Sequence, residues 1–243
     1  MRGTVTLFFA CMALAAQPRQ NFHSLGKEAA LGRQMALEFR RNTVSFDDLM
    51  ARQYVDRLGQ KLAVQMPNAN FPFSFSLTAN DPCHTTHEPP TLPGGYVFVP
   101  VTLLIQARSE AEFAGMLAHA MEHIAERHAA RITTRLTNAG NLPLIFIGGC
   151  PESHAVPLGL LPTLREHELE ADALAAAAIA RAGFDPAAFV SYLEREHVPE
   201  RAQALNPIVE RFPASNYIET TSQFIAVQEK IAPVAGPQSQ SKP

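Results

Sequence analysis

Neither sign of charge dominates this sequence. Its 20 Lys and Arg stand against 23 Asp and Glu, for a net charge of −3 and a pI of about 6.3. Without a basic excess there is no electrostatic footprint for nucleic acid or for an anionic membrane surface, so neither is expected as a partner. Internal repeats and blocks of like charge are missing as well. So are long apolar runs: the one from Val5 to Ala16 is about a dozen residues, against roughly 20 for a membrane span, and no span is expected in the mature chain. The cysteines number only 3. What is there is 243 residues, 47% of them hydrophobic, enough for one sizeable core and thin for two.

The apolar run follows Met1-Arg2-Gly3, contains the small-residue spacing Ala13-Leu14-Ala15, and stops at Gln17-Pro18. That is the pattern of a secretory signal peptide over 1–16, with cleavage near Ala15 or Ala16 and export to a periplasmic or extracellular space. A buried N-terminal helix is the alternative. Removing the leader also removes Cys11 and leaves Cys83 and Cys150, which in an oxidising compartment are either one disulfide or two buried thiols. Sequence does not choose between them, because the bond needs the two Cα atoms within about 7 Å.

Helical patterns dominate the remainder. Residues 24–41 carry Ser24 as a cap and Leu31, Met35 and Phe39 four apart; 45–66 open on a Ser45/Asp48 capping box and stop at Pro67. "FPFSFSL" (71–77) and "GGYVFVP" (94–100) read as short strands around a polar, proline-bearing loop, "CHTTHEPPTLP" (83–93). A Ser109/Glu112 capping box opens one long helix to about Thr134, and loops with short helical turns are expected over 135–162. A helix over 164–182 ends at Gly183, and another starts at Asp185-Pro186. The expectation is a helix-rich α+β chain in one domain over 21–233, with a small sheet and a disordered tail over 234–243.

Chemistry concentrates in "LAHAMEHIAERH" (117–128). A helix turns about 100° per residue, so His119 and His123 lie about 40° apart on one face, the geometry that chelates zinc. Histidines four apart also occur by chance on solvated helix faces. Here "LREHELEADALA" (164–175) supplies Glu168, a carboxylate for a two-His, one-Glu site, and one turn on Asp172, placed to hold the tautomer of a ligand histidine. Glu166 and Glu170 suit a solvated, ion-paired face.

These segments resemble the M48 zinc metallopeptidases, specifically their secreted or periplasmic bacterial branch (BepA-like). "GKEAALGRQMALEF", "YVDRLGQKLA", "FPFSFSL", "PGGYVFV", "SEAEFAGMLAHAMEHIAERHAAR" and "EHELEADALAAAAIARAGFDPAAF" match that family's elements in order and spacing. The resemblance implies a zincin-like (gluzincin) fold with an active-site helix. It also implies zinc held by His119, His123 and Glu168, Asp172 in support, and a polypeptide as substrate or client. It further makes Gly94, Gly95, Tyr96 and Val97 part of an edge strand that pairs with extended substrate; a core strand is the plainer reading.

Three departures surround the expected cleft. Ala120 stands where the family's His-Glu-x-x-His carries its general base. "CHTTHEPPT" replaces an Asn-Ala-Phe segment. Residues 210–221 lack the family's His-Pro-Pro and following Arg. General acid–base help is worth about 10²–10⁴ in rate, so zinc without it makes a poor protease. Glu122 gives the string an inverted His-x-x-Glu-His look, yet positions 120 and 122 lie about 80° to either side of the histidine bisector. A base at Glu122 would approach from the opposite side of the cleft. Cys83, His84 and His87 are either a small metal site or an exposed loop. His128, about 180° from His119 on a continuous helix, suits packing or capping, and His154 and His167 have no evident partner. Two functional readings stand: an exported zinc metalloendopeptidase-like protein with an atypical, weak site, or a zinc-binding pseudoprotease that serves polypeptides as a chaperone or binding factor. Retention of the ligand set argues against a scaffold without zinc.

Overall fold

The computed structural model describes residues 24–79, 88–138 and 161–235. The expected leader, both Cys83 and Cys150, His84, His87, His154 and most of the expected tail lie outside them.

The elements run α1 (Leu25–Asn42), α2 (Leu49–Ala63), β1 (Ser74–Thr78), β2 (Thr91–Leu92), β3 (Tyr96–Pro100), α3 (Val101–Gln106), α4 (Glu110–Ala125), α5 (His128–Asn138), α6 (Leu161–Arg181), α7 (Ala187–Arg195), α8 (Pro199–Val209) and α9 (Ser222–Ala235). The helix-rich architecture with a small sheet, in one domain, is as expected. Strand order is β1-β3-β2, with β1 parallel to β3 (Ser74 opposite Tyr96) and β2 antiparallel to it (Thr91 opposite Val97).

The sheet separates two apolar layers. Leu77, Val97 and Val99 face the main core with α2 and α4, whereas Leu92 and Phe98 face α1 through Ala36, Met35 and Phe39. Gly32 sets how closely α1 approaches: a Cβ there would lie 1.7 Å from the Pro93 carbonyl oxygen. Gly94 and Gly95, at φ +84° and +98°, make the turn into β3, a conformation L side chains resist.

Helix α4 runs through the middle. Ser109 caps it by accepting from the Glu112 amide, and every residue but His123 is buried. Its apolar residues are not confined to one stripe, the pattern of an enclosed helix, and its buried Glu110, Glu112 and His119 find partners inside the protein. α6 crosses it on an alanine face (Ala171, Ala175, Ala176, Ala178, all buried), and α7 docks where Gly115 leaves room for the Phe189 side chain. Small residues at both contacts let the helix axes come close, which brings short polar side chains into mutual reach.

Several boundaries differ from the sequence reading. The long helix over 109–134 is two: Arg127 takes φ +56° between α4 and α5. Asp48, not Ser45, caps α2, accepting from Ala51 at 2.9 Å, while Ser45 pairs with Thr78 as an extended bridge. The segment Gly94–Val97 is not an edge: β3 has β1 on one side and β2 on the other, and the Phe98 amide donates to the Pro90 carbonyl at 2.8 Å. Short β2, packed against α4, occupies that flank. α9 continues to Ala235, past the point where the tail was expected to start. No helix among the described residues is long and apolar enough to cross a membrane.

Candidate metal centre

α4 presents His119 and His123 one turn apart, with Nε2 atoms 3.1 Å from each other. α6 brings Glu168 against both, 3.4 Å from His119 Nε2 and 3.6 Å from His123 Nε2. Glu88 comes from the segment before β2, its Oε2 2.8 Å from His119 Nε2. Ligating atoms of these four side chains all lie within 4.8 Å of one another, a group that could hold a metal ion. The donors fit zinc in a simple test. Donors about 2.0–2.1 Å from a tetrahedral ion lie about 3.3 Å apart; the two His Nε2 atoms are 3.1 Å apart, and Glu168 sets one oxygen 3.4 Å from His119 and the other 3.6 Å from His123.

Each histidine is held from behind. Asp172 accepts from His119 Nδ1 at 2.9 Å, and Arg201 of α8 clamps Asp172 with two donors, at 2.8 and 2.7 Å. Arg201 also reaches Glu168, at 3.1 Å. This fixes the His119 ring and aims Nε2 at the cluster. Behind His123 stands His128, with the two Nδ1 atoms 3.0 Å apart. His128 Nε2 lies 3.2 Å from Glu170, which accepts from Arg131 at 2.6 Å. His167 stacks on the His128 ring at 4.2 Å between centroids. The break at Arg127 is what turns His128 back toward the cluster; on a continuous helix it would point away.

The electrostatics follow from these contacts. Burial works against a charged His119, but the Glu88 carboxylate outweighs it and, with Asp172, holds the ring well above its usual value. Burial, then the charge of His119, pushes His123 down to about 4. Glu168 and Asp172 are buried, which alone would raise them; hydrogen bonds from His119 and Arg201 respectively, with the nearby cationic charge, hold both below the usual carboxylate range. Burial, aided by the charge of His128, takes His167 down to about 3.

Ala120 is 2% exposed, so the position of the family's base is both apolar and covered. Glu122 stands apart from the cluster. It is buried, one of its carboxylate oxygens has no hydrogen-bond partner, and burial together with Glu126 pushes it up to about 7. Gly94 and Gly95 form the turn against α1 and Pro72, and Tyr96 and Val97 lie inside the sheet.

Three participants escaped the sequence reading. The arginine missing from 210–221 enters from α8 as Arg201; a search by spacing from the ligands had no reason to look there. Glu88 lay in a loop taken as polar filler, and only its place just before a strand beside α4 marked it. Glu170, read as solvated, instead pairs with Arg131 and His128.

Residues 49–226 match the sequence profile of peptidase family M48. The chain belongs to peptidase family M48. Among curated M48 relatives, the beta-barrel assembly-enhancing protease of Escherichia coli (strain K12) is 27% identical over 188 residues, covering 71% of this chain and 38% of the relative. That of Yersinia pestis matches to the same extent, 27% over 188 residues. The chain thus spans about two-fifths of these relatives' length. Membership of this family supports a metallopeptidase-like function.

Proposed function

We propose that this protein is an exported, zinc-binding M48 protein that acts on polypeptides, and that it hydrolyses them slowly. The observation that carries the reading is the convergence of His119, His123 and Glu168, with contacts of 3.1–3.6 Å among them, and Asp172 behind His119. Zinc, when bound, supplies Lewis acidity toward a peptide carbonyl and an acidified water. The chain's own residues orient the ligands: Asp172 and Arg201 fix His119, and His128 backs His123. No carboxylate stands at position 120 to move a proton, and Glu122, buried and outside the cluster, is not its replacement. Export rests on the apolar leader pattern over 1–16, and action on polypeptides on family membership and on the relatives named for proteolysis.

The test is zinc content by elemental analysis together with cleavage of casein and peptides by wild type, His119→Ala, Ala120→Glu and Glu122→Ala. About one zinc per chain is expected, with slow wild-type cleavage that His119→Ala abolishes. Ala120→Glu should raise the rate, by up to about 10²–10⁴ if the covered position accommodates the side chain, and Glu122→Ala should leave it unchanged. Absence of bound zinc, or loss of cleavage in Glu122→Ala, refutes the reading.

A second reading, a zinc-binding pseudoprotease that holds polypeptides without cutting them, is favoured by one specific observation: the Glu88 carboxylate at His119 Nε2. It predicts zinc binding and capture of an unfolded polypeptide with no cleavage above the His119→Ala background.

A further inference from the structure

The segment that departs from the M48 pattern between the strands delivers a carboxylate into the metal cluster. We propose that Glu88 is a fourth protein ligand to the metal in the resting protein, held at the position that a water or a substrate carbonyl must take for hydrolysis, so that the slow cleavage waits on its displacement. This rests on the reading of His119, His123 and Glu168 as ligands.

Geometry carries it first. Glu88 Oε2 lies 2.8 Å from His119 Nε2, and its ligating oxygen is within 4.8 Å of the other three donors. It therefore completes a four-residue donor set whose His–His separation and His119–Glu168 separation, 3.1 and 3.4 Å, are close to the edge of a tetrahedral ion, about 3.3 Å. The chemistry of the pair points the same way. Asp172 accepts the Nδ1 proton of His119, which leaves Nε2 as the ring atom that faces the Glu88 oxygen. A proton bridges the two atoms when the site is empty, and a metal ion takes that proton's place between them. Glu168 turns a second carboxylate onto the same point, and an ion resolves all three contacts together.

The backbone holds Glu88 ready. Pro89 and Pro90 follow it and are buried, and the Pro90 carbonyl accepts from the Phe98 amide at 2.8 Å. A residue before proline is confined to extended conformations, so Glu88 leaves an anchored strand end along a restricted path. The same assignment accounts for Ala120. A general base at 120 serves a metal with an open position; while Glu88 holds that position, a carboxylate at 120 has no bound water to deprotonate.

The experiment uses the full chain, wild type beside Glu88→Ala and His119→Ala, with folding checked by circular dichroism. Zinc affinity is measured by competition with a chromophoric chelator. The visible spectrum of the cobalt(II)-loaded protein is then titrated with acetohydroxamate, a small ligand that needs an accessible coordination position. Glu88→Ala should bind zinc at least about tenfold more weakly, the lower end of the loss seen even for residues that only support a ligand. The wild-type cobalt spectrum should ignore acetohydroxamate while that of Glu88→Ala responds. Equal zinc affinity in wild type and Glu88→Ala, or a wild-type spectrum that shifts with acetohydroxamate, overturns the role of Glu88 and leaves the other ligands standing. Failure of wild type to bind zinc or cobalt more tightly than His119→Ala overturns the ligand reading itself and this proposal with it.

Discussion

Replacing Glu122 by glutamine should make stability depend less on pH, in a direction and window that the structure dictates. Glu122 is 2% exposed and has a carboxylate oxygen without a partner. Burial, then the charge of Glu126, raises it from 4.5 to about 7. Below about pH 4.5 the carboxyl is protonated in both folded and unfolded chains and costs nothing. Between 4.5 and about 7 the unfolded chain releases its proton while the folded chain keeps it, so folding grows less favourable as pH rises; above about 7 the loss is complete. Two and a half pH units at about 1.4 kcal/mol each give a loss on the order of 3 kcal/mol. Glutamine cannot ionise and escapes it. In chelator, to keep metal out, urea unfolding of wild type and Glu122→Gln should diverge by about 3 kcal/mol between about pH 4 and pH 8, with the variant gaining. At roughly 2–4 °C per kcal/mol for a domain of this size, the relative shift in Tm is about 6–12 °C. A constant offset from packing the amide drops out of the slope, and other titrating groups cancel between the variants. A difference that does not change with pH would refute the burial argument for Glu122.

Two further substitutions test the surroundings of the site. Arg201→Met strands the buried Asp172 without its two-pronged partner; a loss of roughly 3–5 kcal/mol is expected from urea unfolding of the metal-free chain, with weaker zinc binding, and a change under about 1 kcal/mol would show the clamp to be dispensable. Gly32→Ala drives a methyl into the Pro93 carbonyl, a backbone contact that cannot swing aside; Tm should fall by the equivalent of about 1–3 kcal/mol and limited proteolysis should release α1 early, whereas an unchanged Tm would mean that α1 does not dock as described.

How much of this was legible in the sequence divides along local and non-local lines. Helical spacing is local, so His119 with His123 and Glu168 with Asp172 could be paired by angle alone, and the structure brings the two pairs together. The helix-rich class and the small sheet were legible for the same reason, since each element shows its own period. Arg201 and Glu88 were not, because their place is decided by how α8 packs near α6 and how the chain enters β2, and neither leaves a periodic trace. His128 was misread for a sharper reason. Its angle assumed an unbroken helix, and the break sits at Arg127, a residue that seldom takes φ +56° and gives no glycine or proline warning. Its guanidinium is tied to the buried Glu28 of α1, with Nε donating at 2.7 Å, a contact 99 residues away in sequence. β2 was missed because two residues are too few to show alternation.

The three sources of the candidate ligands carry a consequence for folding. Glu88 belongs to a strand edge, His119 and His123 to an enclosed helix, and Glu168 to a second helix that crosses it. An ion gripped by all of them is a cross-link between stretches far apart along the chain, as a disulfide would be, and constrains the unfolded chain by closing its loops. Unlike a disulfide, it can be withdrawn by a chelator or a drop in pH. The edge segment carrying Glu88 is then the one set loose, because α4 and α6 remain joined by their alanine contacts. A site slow in chemistry can in this way serve as a removable clasp.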